Sequence, residues 1–274
     1  MTLFKQLITG LGATLLLTWS SISMAQNKTE LQWFGQAAFK ITTPGGKVIV
    51  IDPWLITNPK TPERFKKLES LGKVDVILVS HGHADHFADA PALAKLNNAP
   101  VYGPAGLMQT VAVLDILPAS QAIRFGKSGT VMPLGPTVRI TAVHAEHSSE
   151  LAYKNPVTGN EEVHVGGEPI GFIIELENGF KIYHMGDTGL FGDMKFIAQY
   201  YKPDLILIPI GGHFVMDPKD AAMATRDWLK PKFAIPMHYG TTPVLKGTPA
   251  EYISALGDSP TKVMVMMPGD KVEF

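Results

Sequence analysis

Three histidines and an aspartate fall within six residues at His81-Gly82-His83-Ala84-Asp85-His86. Imidazole and carboxylate are ligands that zinc and similar divalent ions take from proteins. The stretch ahead of them, Asp75-Val76-Ile77-Leu78-Val79-Ser80, is apolar and β-branched and reads as a buried strand ending at Ser80. On a loop just past a strand, alternate side chains diverge. His81 and His83 can then reach one cation while Asp85 and His86 reach another, with Gly82 letting the backbone bend without a Cβ clash. Two cations about 3.5–4 Å apart can share a hydroxide, because a bound cation lowers the pKa of its water to about 7. The chemistry on offer is hydrolysis at neutral pH. The chain has no cysteine, so it has no thiolate ligand, no cysteine nucleophile and no disulfide, and nitrogen and oxygen must hold any metal.

Short apolar, β-branched segments are the elements that must position these groups. They predict strands at Leu31–Phe34, Phe39–Thr42, Val48–Ile51, Val74–Val79, Val138–Val143, Phe172–Leu176, Lys181–His184, Leu205–Ile210, Phe233–Met237 and Val263–Met267. Pro44-Gly45-Gly46 and Asn178-Gly179 read as hairpin turns. Helical patterns lie between, at Pro62–Leu71, Ala90–Leu96, Leu107–Leu114, Asp193–Tyr200, Pro218–Leu229 and Pro249–Leu256, with Pro218 and Pro249 suited to a first turn. Hairpins first and helix-alternating strands later suggest two sheets with helices outside, a four-layer αββα sandwich of the α/β class. A doubly wound sheet is the alternative.

At 274 residues and 45% hydrophobic, the chain suits one large α/β domain over residues 26–274. Its net charge of −1 shows no basic surplus, which disfavours a nucleic-acid partner. Residues 1–25 read as a secretory signal peptide: Lys5, then an apolar run from Leu7 to Trp19, then Ser23-Met24-Ala25 as a small-x-small cleavage site. Cleavage after Ala25 would start the mature chain at Gln26 in the periplasm or outside the cell. An uncleaved anchor is the alternative reading, although the apolar run is short for a span. No later stretch is apolar enough for a membrane helix.

His81-x-His83-x-Asp85-His86 resembles the signature of the metallo-β-lactamase superfamily. The resemblance implies the αββα sandwich, a first metal on the His81–His83 pair and a second on the Asp85–His86 pair. It extends through Ala145-Glu146-His147-Ser148-Ser149, Gly186-Asp187-Thr188-Gly189-Leu190-Phe191, Pro209-Ile210-Gly211-Gly212-His213-Phe214 and Ile235-Pro236-Met237-His238-Tyr239-Gly240-Thr241, with Ile51-Asp52-Pro53-Trp54 ahead of them. These are similar to the "metal-dependent hydrolase" branch, near the ascorbate-phosphate lactonases and the phospholipase D acting on N-acyl-phosphatidylethanolamine, from about Leu31 to Met267. The ligand set implied is His81, His83 and His147 on one ion, Asp85, His86 and His238 on the other, and Asp187 bridging them. The ions are zinc first, with manganese or iron as alternatives. Asp85 and Asp187 would carry the catalysis, Asp85 with one oxygen on metal and the other orienting a bridging hydroxide. The target would be a small ester, lactone or phosphodiester. A phospholipase-like activity on membrane lipid and a non-catalytic metal- or ligand-binding envelope protein are the alternatives. The true zinc β-lactamases lack the bridging aspartate, and those of the main subclass use a cysteine that this chain does not have. The oxygen-reducing di-iron branch has glutamate where His83 stands.

Other residues compete for roles. His144 could take the place of His147 as middle ligand, but Ser148-Ser149 after His147 matches the branch. Asp52 either orients a ligand histidine through its free N–H or caps a turn. Asp75 is expected to bind backbone. His213 either lines the pocket mouth as an acid or substrate contact or stands in a solvated loop. His184 is expected to be a packed histidine, and His164 to lie in a solvated hairpin or flap over Asn155–Glu168. Met264 and Met266 are expected to fill a core on one strand face.

Overall fold

Strands that are apolar at successive positions need cover on both faces, and here each face has a different partner. The computed structural model describes residues 28–274. The expected signal peptide over residues 1–25, and the new terminus at Gln26, lie outside them. In chain order the strands are β1 Glu30–Gly35, β2 Ala38–Thr42, β3 Val48–Ile51, β4 Val76–Leu78, β5 Val101–Pro104, β6 Ala122–Phe125, β7 Thr130–Val131, β8 Arg139–His144, β9 Glu150–Lys154, β10 Glu161–Val165, β11 Ile170–Glu175, β12 Lys181–His184, β13 Leu205–Pro209, β14 Phe233–Met237, β15 Lys262–Val263 and β16 Lys271–Glu273. The α-helices are α1 Ala84–Phe87, α2 Ala90–Asn97, α3 Ala105–Val113, α4 Met194–Tyr201, α5 Pro218–Met223 and α6 Pro249–Leu256.

Two seven-stranded sheets form, in the orders β16-β1-β2-β3-β4-β5-β6 and β15-β14-β13-β12-β11-β8-β7. Each is antiparallel at one end and parallel at the other: β1, β2 and β3 pair as hairpins, whereas β3 to β6 run parallel, and β12 to β15 do the same. Ile49 and Ile51 of β3 meet Leu205 and Leu207 of β13 in a central core between the sheets. The alternate residues point outward: Val50 packs on Leu93 and Met108 of α2 and α3, and Ile206 and Ile208 pack with Ile197 and Tyr252 of α4 and α6. The result is the αββα sandwich.

The chain departs from its sequence pattern in two places that matter here. The expected helix over Pro62–Leu71 is two 3-10 turns, Glu63–Phe65 and Leu68–Leu71. Leu68 and Leu71 are the residues buried there, and a spacing of three suits a 3-10 turn. The strand expected over Val263–Met267 stops at Val263 because the chain then crosses to the other sheet. Met266 enters the central core on the way, and β16 pairs with β1. The segment over Asn155–Glu168 forms a hairpin, as expected: its β10 pairs with β9 apart from both sheets, in a register that sets Glu150 opposite Val165.

Candidate metal centre

Both sheets end their parallel strands on the same side, and short turns there carry the chemistry. Asp52 follows β3, His81 and His83 follow β4, Ala145 to His147 follow β8, Asp187 follows β12 and His238 follows β14. Open α/β sheets bind ligands at such carboxyl ends. The stretch expected to be a loop through His86 is one turn of helix from Ala84, closed by His86 N donating to His83 O at 3.0 Å. Gly82 serves a close approach: a Cβ there would lie 3.0 Å from the Glu150 carbonyl oxygen. Gly186 has φ +62°, and a Cβ would stand 2.9 Å from Ile170 O and 3.0 Å from the Ser80 Cβ. Only glycine passes the chain over Ser80 at that angle.

The expected ligands gather into two groups, His81–His83–His147 and Asp85–His86–Asp187–His238, and within each group the candidate ligand atoms lie within 4.8 Å of one another. Asp187 Oδ2 lies between them. It is 3.2 Å from His86 Nε2 and 2.8 Å from His238 Nε2, and also 3.7 Å from His147 Nε2 and 4.0 Å from His81 Nε2. His81 Nε2 is 2.9 Å from His83 Nδ1. Asp85 Oδ2 is 3.4 Å from His238 Nε2 and 3.6 Å from His86 Nε2.

The outer atoms of these rings are tied down. Asp52 is fully buried with φ +46°. Its carboxylate accepts from Ser80 N at 2.7 Å, Ser80 Oγ at 2.6 Å and His86 Nδ1 at 2.9 Å. A proton held on Nδ1 leaves the His86 Nε2 lone pair facing inward. Ser80 Oγ also lies 3.0 Å from His81 Nδ1, so one carboxylate supports a ring in each group. His83 Nε2 meets Glu150 Oε2 at 2.8 Å, at the foot of the β9–β10 hairpin. Ser149 Oγ accepts from Gly82 N and donates to Gly166 O.

Protonated histidines and carboxylates offset one another at the centre. Burial opposes a charged His86 and a charged His238, yet Asp187 beside them outweighs it: His86 is held well above the ordinary imidazole range and His238 is raised to about 9. Burial would likewise raise Asp187, but His238 and His86 hold it well below the usual carboxylate range. Burial, reinforced by the charge of His86, pushes His81 well below its ordinary value. His86 Nε2 and Asp187 Oδ1 are buried without a hydrogen-bond partner. Buried lone pairs converging on a shared carboxylate, with every nitrogen and oxygen donor neutral or anionic once deprotonated, fit divalent cations.

The remaining sequence candidates are placed elsewhere. His144 lies between Lys127 and Glu146, 3.1 and 3.3 Å away, with Phe191 edge-on, and joins neither group. His213 lines a surface cavity with Asp217, Lys246 and Glu251. His184 is a packed ring, Nε2 donating to Ala37 O and Nδ1 accepting from Gly186 N. Asp75 accepts from Val48 N at 2.9 Å. His164 pairs with Glu162 on the hairpin. Sequence reading missed Ser80, Glu150 and Gln36. Gln36 Nε2 lies 2.8 Å from Asp85 Oδ2.

Residues 47–239 match the beta-lactamase superfamily domain. The chain is 65% identical over 250 residues to a UPF0173 metal-dependent hydrolase of Polaromonas sp., covering 91% of each. It is 42% identical over 247 residues to one from Rubrobacter xylanophilus, covering 89% of this chain and 96% of that protein. A metallo hydrolase from the hyperthermophilic archaeon Ignicoccus hospitalis superposes with a TM-score of 0.74 at 32% identity, over 90% of this chain and 98% of that one. A metallo-β-lactamase fold protein of Bacillus subtilis gives a TM-score of 0.65 at 13% identity, over 90% and 99%, and shares the fold.

Proposed function

Because the chain belongs to the metallo-β-lactamase superfamily, among its UPF0173 metal-dependent hydrolases, we propose that it uses two divalent cations to hydrolyse a small ester, lactone or phosphodiester. The observation that carries this reading is the position of Asp187 Oδ2 within 4.0 Å of Nε2 atoms from both ligand groups. A carboxylate so placed can serve two ions at once. His81, His83 and His147 would hold one ion, Asp85, His86 and His238 the other. When bound, such a pair lowers the pKa of its water to about 7 and polarises the oxygen under attack, with zinc, manganese or iron all suited to these ligands.

The chain's own groups divide the remaining work. Asp52 keeps a proton on His86 Nδ1 and so keeps Nε2 free. Ser80 extends the same carboxylate to His81. Asp187 is buried, whereas the Asp85 side chain is 31% exposed, so Asp85 is the ligand carboxylate that reaches incoming water and orients it for attack. Asp187→Ala removes the shared group. That variant, supplied with zinc or manganese and assayed against a panel of lactones, carboxylic esters and phosphodiesters, is expected to fall to background on any substrate that wild type turns over. Wild-type turnover by the Asp187→Ala variant would contradict the proposal.

A further inference from the structure

Gln36 occupies the turn between β1 and β2, outside every motif that pointed to the metal centre, yet its side chain ends inside that centre. It is 2% exposed and has φ +51°. Its main-chain carbonyl accepts from Trp33 Nε1 at 3.0 Å and from His238 N at 3.1 Å. Trp33 packs on Phe39 and Tyr239. The residue is therefore pinned to both sheets, and little but the carboxamide is free to turn. Gln36 Nε2 lies 2.8 Å from Asp85 Oδ2 and 2.6 Å from His238 Nε2, two atoms of one ligand group. Gln36 Oε1 is buried and has no hydrogen-bond partner.

A side-chain amide offers two donors and an acceptor of nearly equal shape. With no cation present, its NH2 is the end that suits the Asp85 carboxylate oxygen. A cation on those atoms reverses the preference, since N–H hydrogens facing a cation repel it while a carbonyl oxygen is a ligand. Turning the carboxamide over brings the partnerless oxygen to the same place. We propose that Gln36 is a further ligand of the cation held by Asp85, His86, Asp187 and His238, supplied through its side-chain oxygen. The inference rests on the two-cation reading above. A neutral oxygen added to that group raises its coordination number over the His81–His83–His147 group. It shifts the site's preference from four-coordinate zinc towards manganese or iron.

Titration of metal-free protein with cobalt(II) alone, followed by its visible absorption and by competition with a chelator, tests this. Gln36→Leu removes both polar atoms, and Gln36→Glu keeps an oxygen while removing the amide N–H. In Gln36→Leu one uptake step should weaken about 10–100-fold while the other stays within about twofold. Its absorption should intensify as the coordination number falls. Gln36→Glu should bind at least as tightly as wild type. If Gln36→Leu does not fold, Gln36→Asn, one methylene too short to reach, should show the same selective loss. Unchanged uptake in the Leu or Asn variant, or an equal loss in Gln36→Glu, would overturn the assignment and leave the two-cation reading standing. A wild-type protein that takes up no second ion would overturn both.

Discussion

Replacing Asp52 by Asn keeps the shape of the side chain and removes its charge, with consequences that run from atom to atom into the metal centre. Asp52 accepts three bonds, from Ser80 N, Ser80 Oγ and His86 Nδ1, at 2.6–2.9 Å. If the Asn oxygen keeps the Ser80 N–H, its NH2 faces Ser80 Oγ and His86 Nδ1. The serine hydroxyl can rotate to accept. His86 can keep its contact only by accepting at Nδ1, which moves the ring proton to Nε2, the atom needed for metal. Binding must then work against the wrong tautomer. Changes of this kind in the groups behind metal ligands cost about 10–100-fold in affinity, or about 1.4–2.7 kcal/mol. The loss should fall on the Asp85–His86–Asp187–His238 group. The His81 group should weaken less, because Asp52 reaches it only through the Ser80 hydroxyl. Ser80→Ala should invert that order, since it leaves the Asp52–His86 bond in place. Stepwise metal titration against a competing chelator reads both steps. Equal affinities in Asp52→Asn and wild type, or a loss confined to the His81 group, would show that Asp52 does not set the His86 tautomer.

The same geometry sets two further outcomes. His147→Ala should lose metal from the His81–His83 group, whereas His144→Ala, held by Lys127 and Glu146 away from both groups, should bind as wild type; a larger loss in His144→Ala reverses the assignment. In metal-free protein the His238 value of about 9 stands above the ordinary imidazole value of 6.5. Its proton therefore stabilises the fold fully below pH 6.5, and that contribution is lost as pH rises through about 9. Thermal melts of chelator-treated protein should show a falling Tm between about pH 7 and about pH 9.5, with a flatter profile once metal is supplied; a constant metal-free Tm would count against the buried charge arrangement.

Much of the scaffold was legible in the sequence where residue type and pattern coincide. Lys181–His184, Phe233–Met237 and Pro249–Leu256 form as their patterns predict, because short runs of apolar and aromatic residues and a proline-led turn act locally. Thr248 completes the start of the last with a capping box to Glu251. β5 escaped notice because it ends in Gly103 and Pro104, and β6 because Arg124 interrupts its apolar run. α1 is a single turn, too short to show a period. The histidine-rich segment announced itself by composition, whereas Gln36 could not. Its partners are 49 and 202 residues away, and a glutamine beside a glycine in a hairpin turn carries no local sign of them. Glu150 likewise depends on the β9–β10 hairpin folding back to His83.

Metal content per chain, measured by elemental mass spectrometry on purified protein, decides whether the two ligand groups hold a pair of ions. The arrangement of His81, His83 and His147 beside Asp85, His86 and His238, with Asp187 between them, predicts about two tightly held divalent ions per chain. One ion or none, after zinc, manganese and iron have each been supplied, would contradict it.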